Sequence, residues 1–160
     1  MFRKILAFTC SMMLLVSCGK GVIFDEMQTI PGDNFQRFTE QKFEVDIDNI
    51  DDCYDLYVTT TIDTSCYVSN SLPIMVTVDG PNGDSRMFRN IVSVRDKDGN
   101  WKGDIDGSTL TTVTRVREYY FFNVAGMHTV RISQCSHKYD IRGISKVGFR
   151  VVKADLVYPD

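Results

Sequence analysis

Apolar residues recur at every second position along most of this chain, and that period admits few folds. Phe43, Val45 and Ile47 alternate with Glu44, Asp46 and Asp48. The same pattern holds at Leu56, Val58, Thr60 and Ile62, at Ile74, Val76 and Val78, at Val130 and Ile132, and at Val147, Phe149 and Val151. Successive side chains of an extended strand point to opposite faces, so each run predicts a strand with one buried and one wet face. Further strands are predicted over 21–29, 86–94 and 116–124, the last almost continuously apolar and therefore placed at a sheet centre. Beyond the N-terminal signal no segment carries a helical stripe over three turns. Turn residues separate the runs: Asp79-Gly80-Pro81-Asn82-Gly83-Asp84, then Asp96-Lys97-Asp98-Gly99-Asn100, then Asp104-Ile105-Asp106-Gly107. Many short strands joined by such turns predict an all-β chain, a single jelly-roll-like β-sandwich over 22–152.

Composition narrows the partners. With 160 residues, 43% hydrophobic and 24% charged, the chain suits one domain with its own core and is not a disordered sequence. The 18 Lys+Arg against 21 Asp+Glu leave a formal charge of −3. Neutralising phosphates needs a clustered basic excess, so a nucleic-acid partner is not expected.

The N-terminus carries the second constraint. Arg3 and Lys4 precede an uncharged stretch from Ile5 to Val16, which reads as the basic and apolar parts of a secretory signal. It is too short to span a bilayer, which takes about 20 apolar residues. Leu15-Val16-Ser17-Cys18-Gly19 then resembles a bacterial lipobox, with cleavage before Cys18 and lipid on its thiol. The expected organisation is a signal peptide over 1–17, a lipidated tether over 18–21, the sandwich over 22–152 and a polar tail over 153–160. Removing Arg3 and Lys4 with the signal leaves 16 basic against 21 acidic groups. Multiple acyl chains make anchoring stable. Gly19 stands where an Asp would resemble an inner-membrane retention signal, so the outer membrane is expected. Lys20-Gly21-Val22 lacks the acidic pair of some surface-exported lipoproteins, which favours the periplasmic face.

Chemistry is sparse. After Cys18, three cysteines remain: Cys53, Cys66 and Cys135. An oxidising compartment permits one bridge among them, with Cys53 and Cys66 bracketing a strand, or three buried thiols. Asp96, Asp98 and Asn100 have calcium-loop spacing, but Trp101 and Gly107 break the EF-hand pattern and a tight turn is the better account. His128 shares a face with Val130 and Ile132, whereas His137 falls in a polar loop. Cys135 and His137 stand one residue apart, yet nothing supplies an oxyanion hole or an orienting acid. Trp101, Tyr57, Tyr119 and Tyr120 are candidates for a sugar-stacking platform, although Trp101 better suits a loop anchor. No metal site, cofactor motif or catalytic signature is present, and an enzyme is not expected.

Several segments, read in order, resemble the gliding-motility lipoprotein GldH family. They are Val22-Ile23-Phe24-Asp25-Glu26, Asp79-Gly80-Pro81-Asn82-Gly83 and Asp96-Lys97-Asp98-Gly99-Asn100-Trp101-Lys102-Gly103. Next come Gly126-Met127-His128-Thr129-Val130 with Ile132-Ser133-Gln134, and finally Gly143-Ile144-Ser145-Lys146-Val147-Gly148-Phe149-Arg150. The chain departs at Cys135-Ser136, where the family pattern has a small residue followed by Met-Arg. The resemblance implies an outer-membrane lipoprotein, non-enzymatic, that supports gliding and the machinery associated with type IX secretion. It carries no catalytic residues, and it makes Asp98, Gly99, Trp101 and Gly103 an architectural loop. The implied partners are the membrane, through the lipid, and other envelope or motility proteins. A small-molecule ligand is not expected. The alternative from another class is a glycan-binding envelope lipoprotein with a carbohydrate-module-like sandwich.

Overall fold

The computed structural model describes residues 21–155, so the signal segment, Cys18 and the last residues of the polar tail lie outside it. Eleven strands form among the described residues. They are β1 (Val22–Thr29), β2 (Asn34–Gln36), β3 (Gln41–Ile47), β4 (Tyr54–Asp63), β5 (Ser71–Asp79) and β6 (Ser85–Ser93). Then follow β7 (Asp104–Asp106), β8 (Thr109–Tyr120), β9 (Gly126–Gln134), β10 (Asp140–Arg142) and β11 (Ile144–Lys153). One 3-10 turn at Pro31–Asp33 precedes β2.

One sheet has the order β1-β11-β4-β8-β7 and the other β3-β9-β5-β6, with β2 and β10 forming a separate two-stranded ribbon. Counting only the eight long strands, the sheets read first-eighth-third-sixth and second-seventh-fourth-fifth. That is the order of a jelly roll, in which all but one of the connections between long strands cross from sheet to sheet. The exception is the β5–β6 hairpin, turned by Gly80 to Asp84.

Alternation places the core as expected. Phe43, Val45 and Ile47 on β3, Leu56, Val58 and Ile62 on β4, and Ile74, Val76 and Val78 on β5 are all buried. Val147, Phe149 and Val151 on β11 face the same interior, while Arg150 points outward and binds the Asp25 carboxylate through Nε at 2.9 Å. Asp25 and Arg150 are directly paired across β1 and β11, so this ion pair reports the register. At the seam between the sheets, Phe149 meets Phe24 and Phe43 with ring centroids 6.3 and 6.2 Å apart. Gly148 lets β1 lie close: a Cβ there would overlap the Met27 sulfur and approach the Glu26 carbonyl oxygen at 2.8 Å.

Two expectations need correction. The apolar run 116–124 is not one central strand. β8 ends at Tyr120, Tyr119 takes φ 49°, and Phe121 is exposed. On its far side β8 pairs only with the three-residue β7, so most of it is a sheet edge. The run is apolar because Val116 faces the core and Phe122 then folds back to close the end of the sandwich. The boundaries also shift. Lys153, placed in the tail, ends β11; its N–H donates to the Gly21 carbonyl at 2.7 Å and its ammonium pairs with Asp52 at 2.7 Å.

Candidate functional site

The Asp96–Gly103 loop is held by its own backbone. Oδ1 of Asp96 accepts the N–H groups of Asp98 and Asn100, both at 2.9 Å. These bonds, led by that of Asn100, hold the Asp96 carboxyl below its ordinary range. The carboxylate therefore serves the turn, which Gly99 completes at φ 85°. Arg95 pairs across it with Trp101, lays its guanidinium 3.4 Å above the indole and donates to the Gly99 carbonyl at 2.8 Å. Gly103 takes φ 144°, and a Cβ there would lie 2.4 Å from the Thr111 carbonyl oxygen. Only glycine lets the loop rejoin the sheet at this point. Asp98, Gly99, Trp101 and Gly103 thus lie in one loop, closed by the Asp96 carboxylate and the Arg95–Trp101 pair, with its polar side chains exposed to solvent.

The four rings considered for a sugar platform do not converge. Trp101 packs near the start of β8, where Thr112 donates to the Lys102 carbonyl. Tyr120 lies at the other end of that strand, 4.8 Å from Phe122. Arg95 covers the indole face that a sugar would need.

Cys53, Cys66 and Cys135 are all free thiols. The bridge considered between Cys53 and Cys66 does not form, because the ten-residue β4 lies between them. Such a strand spans about 30 Å, whereas a disulfide needs Cα atoms within about 7 Å. Cys53 is buried with its thiol 3.6 Å from the Ala154 carbonyl. Partial burial, and then the Asp63 carboxylate, push the Cys66 thiol up, which disfavours the reactive thiolate. His128 is buried on the face with Val130 and Ile132; its Nδ1 lies 3.0 Å from the Gly126 carbonyl and its ring packs against Phe122.

A larger concavity among the described residues lies elsewhere, at the end of the sandwich where β5 and β11 begin. It is a cleft of about 680 Å3. Arg37, Arg89, His137 and Lys138 line it together with Ser69, Asn70, Ser71 and Ser136, and no Asp or Glu does. Cys135 and His137 line it too, and no hydrogen bond joins them among the described residues. A smaller recess of about 290 Å3 adjoins it, sharing Val68, Ser69, Lys138 and Ile141 and adding both Arg142 and the Asp140 carboxylate.

Two devices build this cleft. The β2–β10 ribbon pairs Phe35 with Ile141, and beyond it the Arg37 N–H donates to the Tyr139 carbonyl at 2.7 Å. That pairing brings Arg37 beside Lys138 although about a hundred residues separate them. Gln134, 1% exposed, shapes the turn that carries Ser136, His137 and Lys138. Its amide donates to the carbonyls of Lys138 and Tyr139 at 3.0 and 3.2 Å, and its carbonyl accepts the Ser136 N–H at 2.9 Å. Beside the cleft, Tyr67 is buried with its hydroxyl on the Ser71 carbonyl at 2.9 Å, and burial pushes its phenol up to about 12. Sequence reasoning missed Arg37, Arg89, Lys138 and Gln134 as a group. Only Gln134 carried a signal, within the family-like segment Ile132-Ser133-Gln134.

Comparison with known proteins agrees with the family resemblance. The family model described as GldH lipoprotein matches residues 22–151. A relative from Christiangramia forsetii, a protein named gliding motility lipoprotein GldH homolog, is 24% identical over 161 residues, covering 95% of this chain and 96% of its own length. No solved structure matches. With a family match across nearly all of the sandwich, and a relative aligned from end to end, the chain belongs to the GldH lipoprotein family.

Proposed function

We propose that this chain is an outer-membrane lipoprotein, acylated on Cys18 and facing the periplasm, that serves gliding motility as a non-enzymatic part of an envelope complex associated with type IX secretion. The observation that carries this reading is the family match over the sandwich, joined to a relative named for gliding motility. The lipobox-like Leu15-Val16-Ser17-Cys18-Gly19 supplies the anchor. Gly21, three residues after Cys18, is hydrogen-bonded to Lys153 at the end of β11. The tether is therefore short, and this end of the sandwich faces the membrane.

Cys18→Ala tests the anchor and the role together. The variant precursor is expected to stay uncut, to take up no labelled palmitate and to leave the outer-membrane fraction. In a gliding host whose own copy is deleted, wild-type chain restores spreading and Cys18→Ala does not. Palmitate labelling of the variant refutes acylation at Cys18, and spreading that survives the deletion refutes the motility role.

A further inference from the structure

Nine arginines fall among the described residues, and they divide sharply by partner. Arg115, Arg131 and Arg150 form ion pairs with carboxylates. Arg86, Arg95 and Arg117 donate to carbonyl or amide oxygens and lie over aromatic rings. The other three, Arg37, Arg89 and Arg142, have no ion pair or side-chain hydrogen bond among the described residues. Arg37 and Arg89 line the cleft, and Arg142 lines the recess that adjoins it. Lys138 lines both. Arg37 reaches only the ring of its neighbour Phe38, 5.9 Å from the centroid, and Asp140 lines the recess beside Arg142. In a chain of net negative charge, the guanidinium groups without a polar partner gather around the cleft and its adjoining recess. Their fork of N–H donors matches oxyanions such as carboxylate and phosphate.

The rest of the lining narrows the ligand. Ser69, Asn70, Ser71 and Ser136 offer hydroxyl and amide groups, which suit a polyhydroxylated partner. Phe38 and Tyr139, which follow Arg37 and Lys138 in sequence, are 79% and 63% exposed with ring centroids 6.1 Å apart. Neither ring lines the cleft, so the saccharide reading rests on the hydroxyl, amide and cationic lining. The volume is that of a small-ligand pocket, and the wall that carries Ser136, His137 and Lys138 is fixed by the buried Gln134 rather than left as a free loop.

We propose that the cleft binds an acidic saccharide, with Arg37, Arg89 and Lys138 holding its acid groups and the serine and asparagine side chains its hydroxyls. The site differs from the Trp101 platform and replaces the expectation that no small ligand is bound. It also lies away from the tether: β11 runs ten residues from Ile144 near the cleft to Lys153 beside Gly21. That is about 30 Å of strand, so an anchored molecule presents the cleft away from its own membrane.

Calorimetric titration of the full chain in detergent micelles tests the proposal with three probes: trigalacturonate, maltotriose and pentaglutamate. Trigalacturonate is expected to bind at least about tenfold more tightly than either of the others. Arg37→Gln and Arg89→Gln should each weaken it by about tenfold, the scale of one charge-assisted hydrogen bond. Both side chains are exposed and unpaired, so unchanged melting temperatures are expected and will separate lost binding from lost fold. Lys146→Gln, which removes a charge from the opposite sheet, should bind like wild type. Equal or tighter binding of pentaglutamate overturns the saccharide in favour of an acidic protein segment. Equal binding of maltotriose, full affinity in both arginine variants, or no binding of trigalacturonate overturns the site itself.

Discussion

The two ends of the sandwich are built on opposite principles. At the end beside Gly21 the basic side chains Arg86 and Lys153 are both partnered within the fold. Arg86 binds the Phe121 carbonyl and the Asn123 side chain, Lys153 binds Asp52, and the Tyr54 hydroxyl donates to the Asn49 carbonyl. Beneath them Tyr54, Tyr120, His128 and Phe122 form an aromatic plug, with Phe122 packed edge-on against all three neighbours. At the far end the interior is closed by Ile30, Phe35 and Tyr67, but the surface holds a cleft lined by three cations without an ion pair or side-chain hydrogen bond among the described residues. A group that makes no internal contact contributes little to folding, so its placement there is free to answer to something outside the chain. The closed end stabilises, and the open end is where a ligand gains most.

The sharpest way to break this contrast is Phe122→Ala. Removing a buried aromatic side chain costs about 3–5 kcal/mol, a large share of the roughly 5–15 kcal/mol that holds one domain together. Urea melts followed by Trp101 fluorescence measure the loss; a change below about 1 kcal/mol would mean the plug is ornamental and the two ends are alike.

A smaller effect is expected from acid. Hydrogen bonds from Arg131, and then Ser85, hold the Asp79 carboxyl below its ordinary range. Its ionised form is therefore favoured in the folded state, and the stability it adds is present above the unfolded value of about 4 and lost as pH falls through the folded one. Asp79 and Arg131 are about one-third exposed, with side-chain accessibilities of 32% and 31%, so solvent screening limits the contribution to about 1 kcal/mol. Asp79→Asn should be less stable than wild type at pH 7, and the gap should close as pH falls below about 4. A gap that stays constant with pH would show that the carboxylate charge does not matter.

The smallest effect belongs to the open end. Arg37→Gln combined with Arg89→Gln should change stability by less than about 0.5 kcal/mol, as for ordinary surface positions. Chemical denaturation without ligand checks this. A loss above about 1 kcal/mol would show that these guanidinium groups support the fold, and the division between the ends would fail.

Much of this molecule was legible in one dimension. Strand faces follow from alternation because the direction of a side chain depends only on its own backbone, so Phe149 in and Arg150 out needed no neighbour. The loop containing Asp98, Gly99, Trp101 and Gly103 is local in the same sense, since its turn hydrogen bonds close within a few residues. Continuous runs were less tractable. In 116–124 the sequence shows only that residues are apolar, whereas the turn at Tyr119 depends on the end of β4 that it packs against, where the Asp55 carboxylate accepts the Tyr119 N–H.

Pairing between distant strands was beyond reach, and with it the cleft. Arg37 follows a three-residue strand, Lys138 precedes another, and neither strand has enough residues to show a period. Only their mutual pairing, fixed by Phe35 and Ile141 against the core, sets the two cations on one wall. The free thiols tell the same story, since whether Cys53 can reach Cys66 depends on the straight course of β4 and not on the number of residues between them. By itself the sequence determined the family, through the order of its motifs, and the faces of the long alternating strands, because side-chain direction is set by local geometry. The jelly-roll crossing order and the convergence of Arg37, Arg89 and Lys138 were decided only in three dimensions, where contacts between remote segments fix what lies beside what.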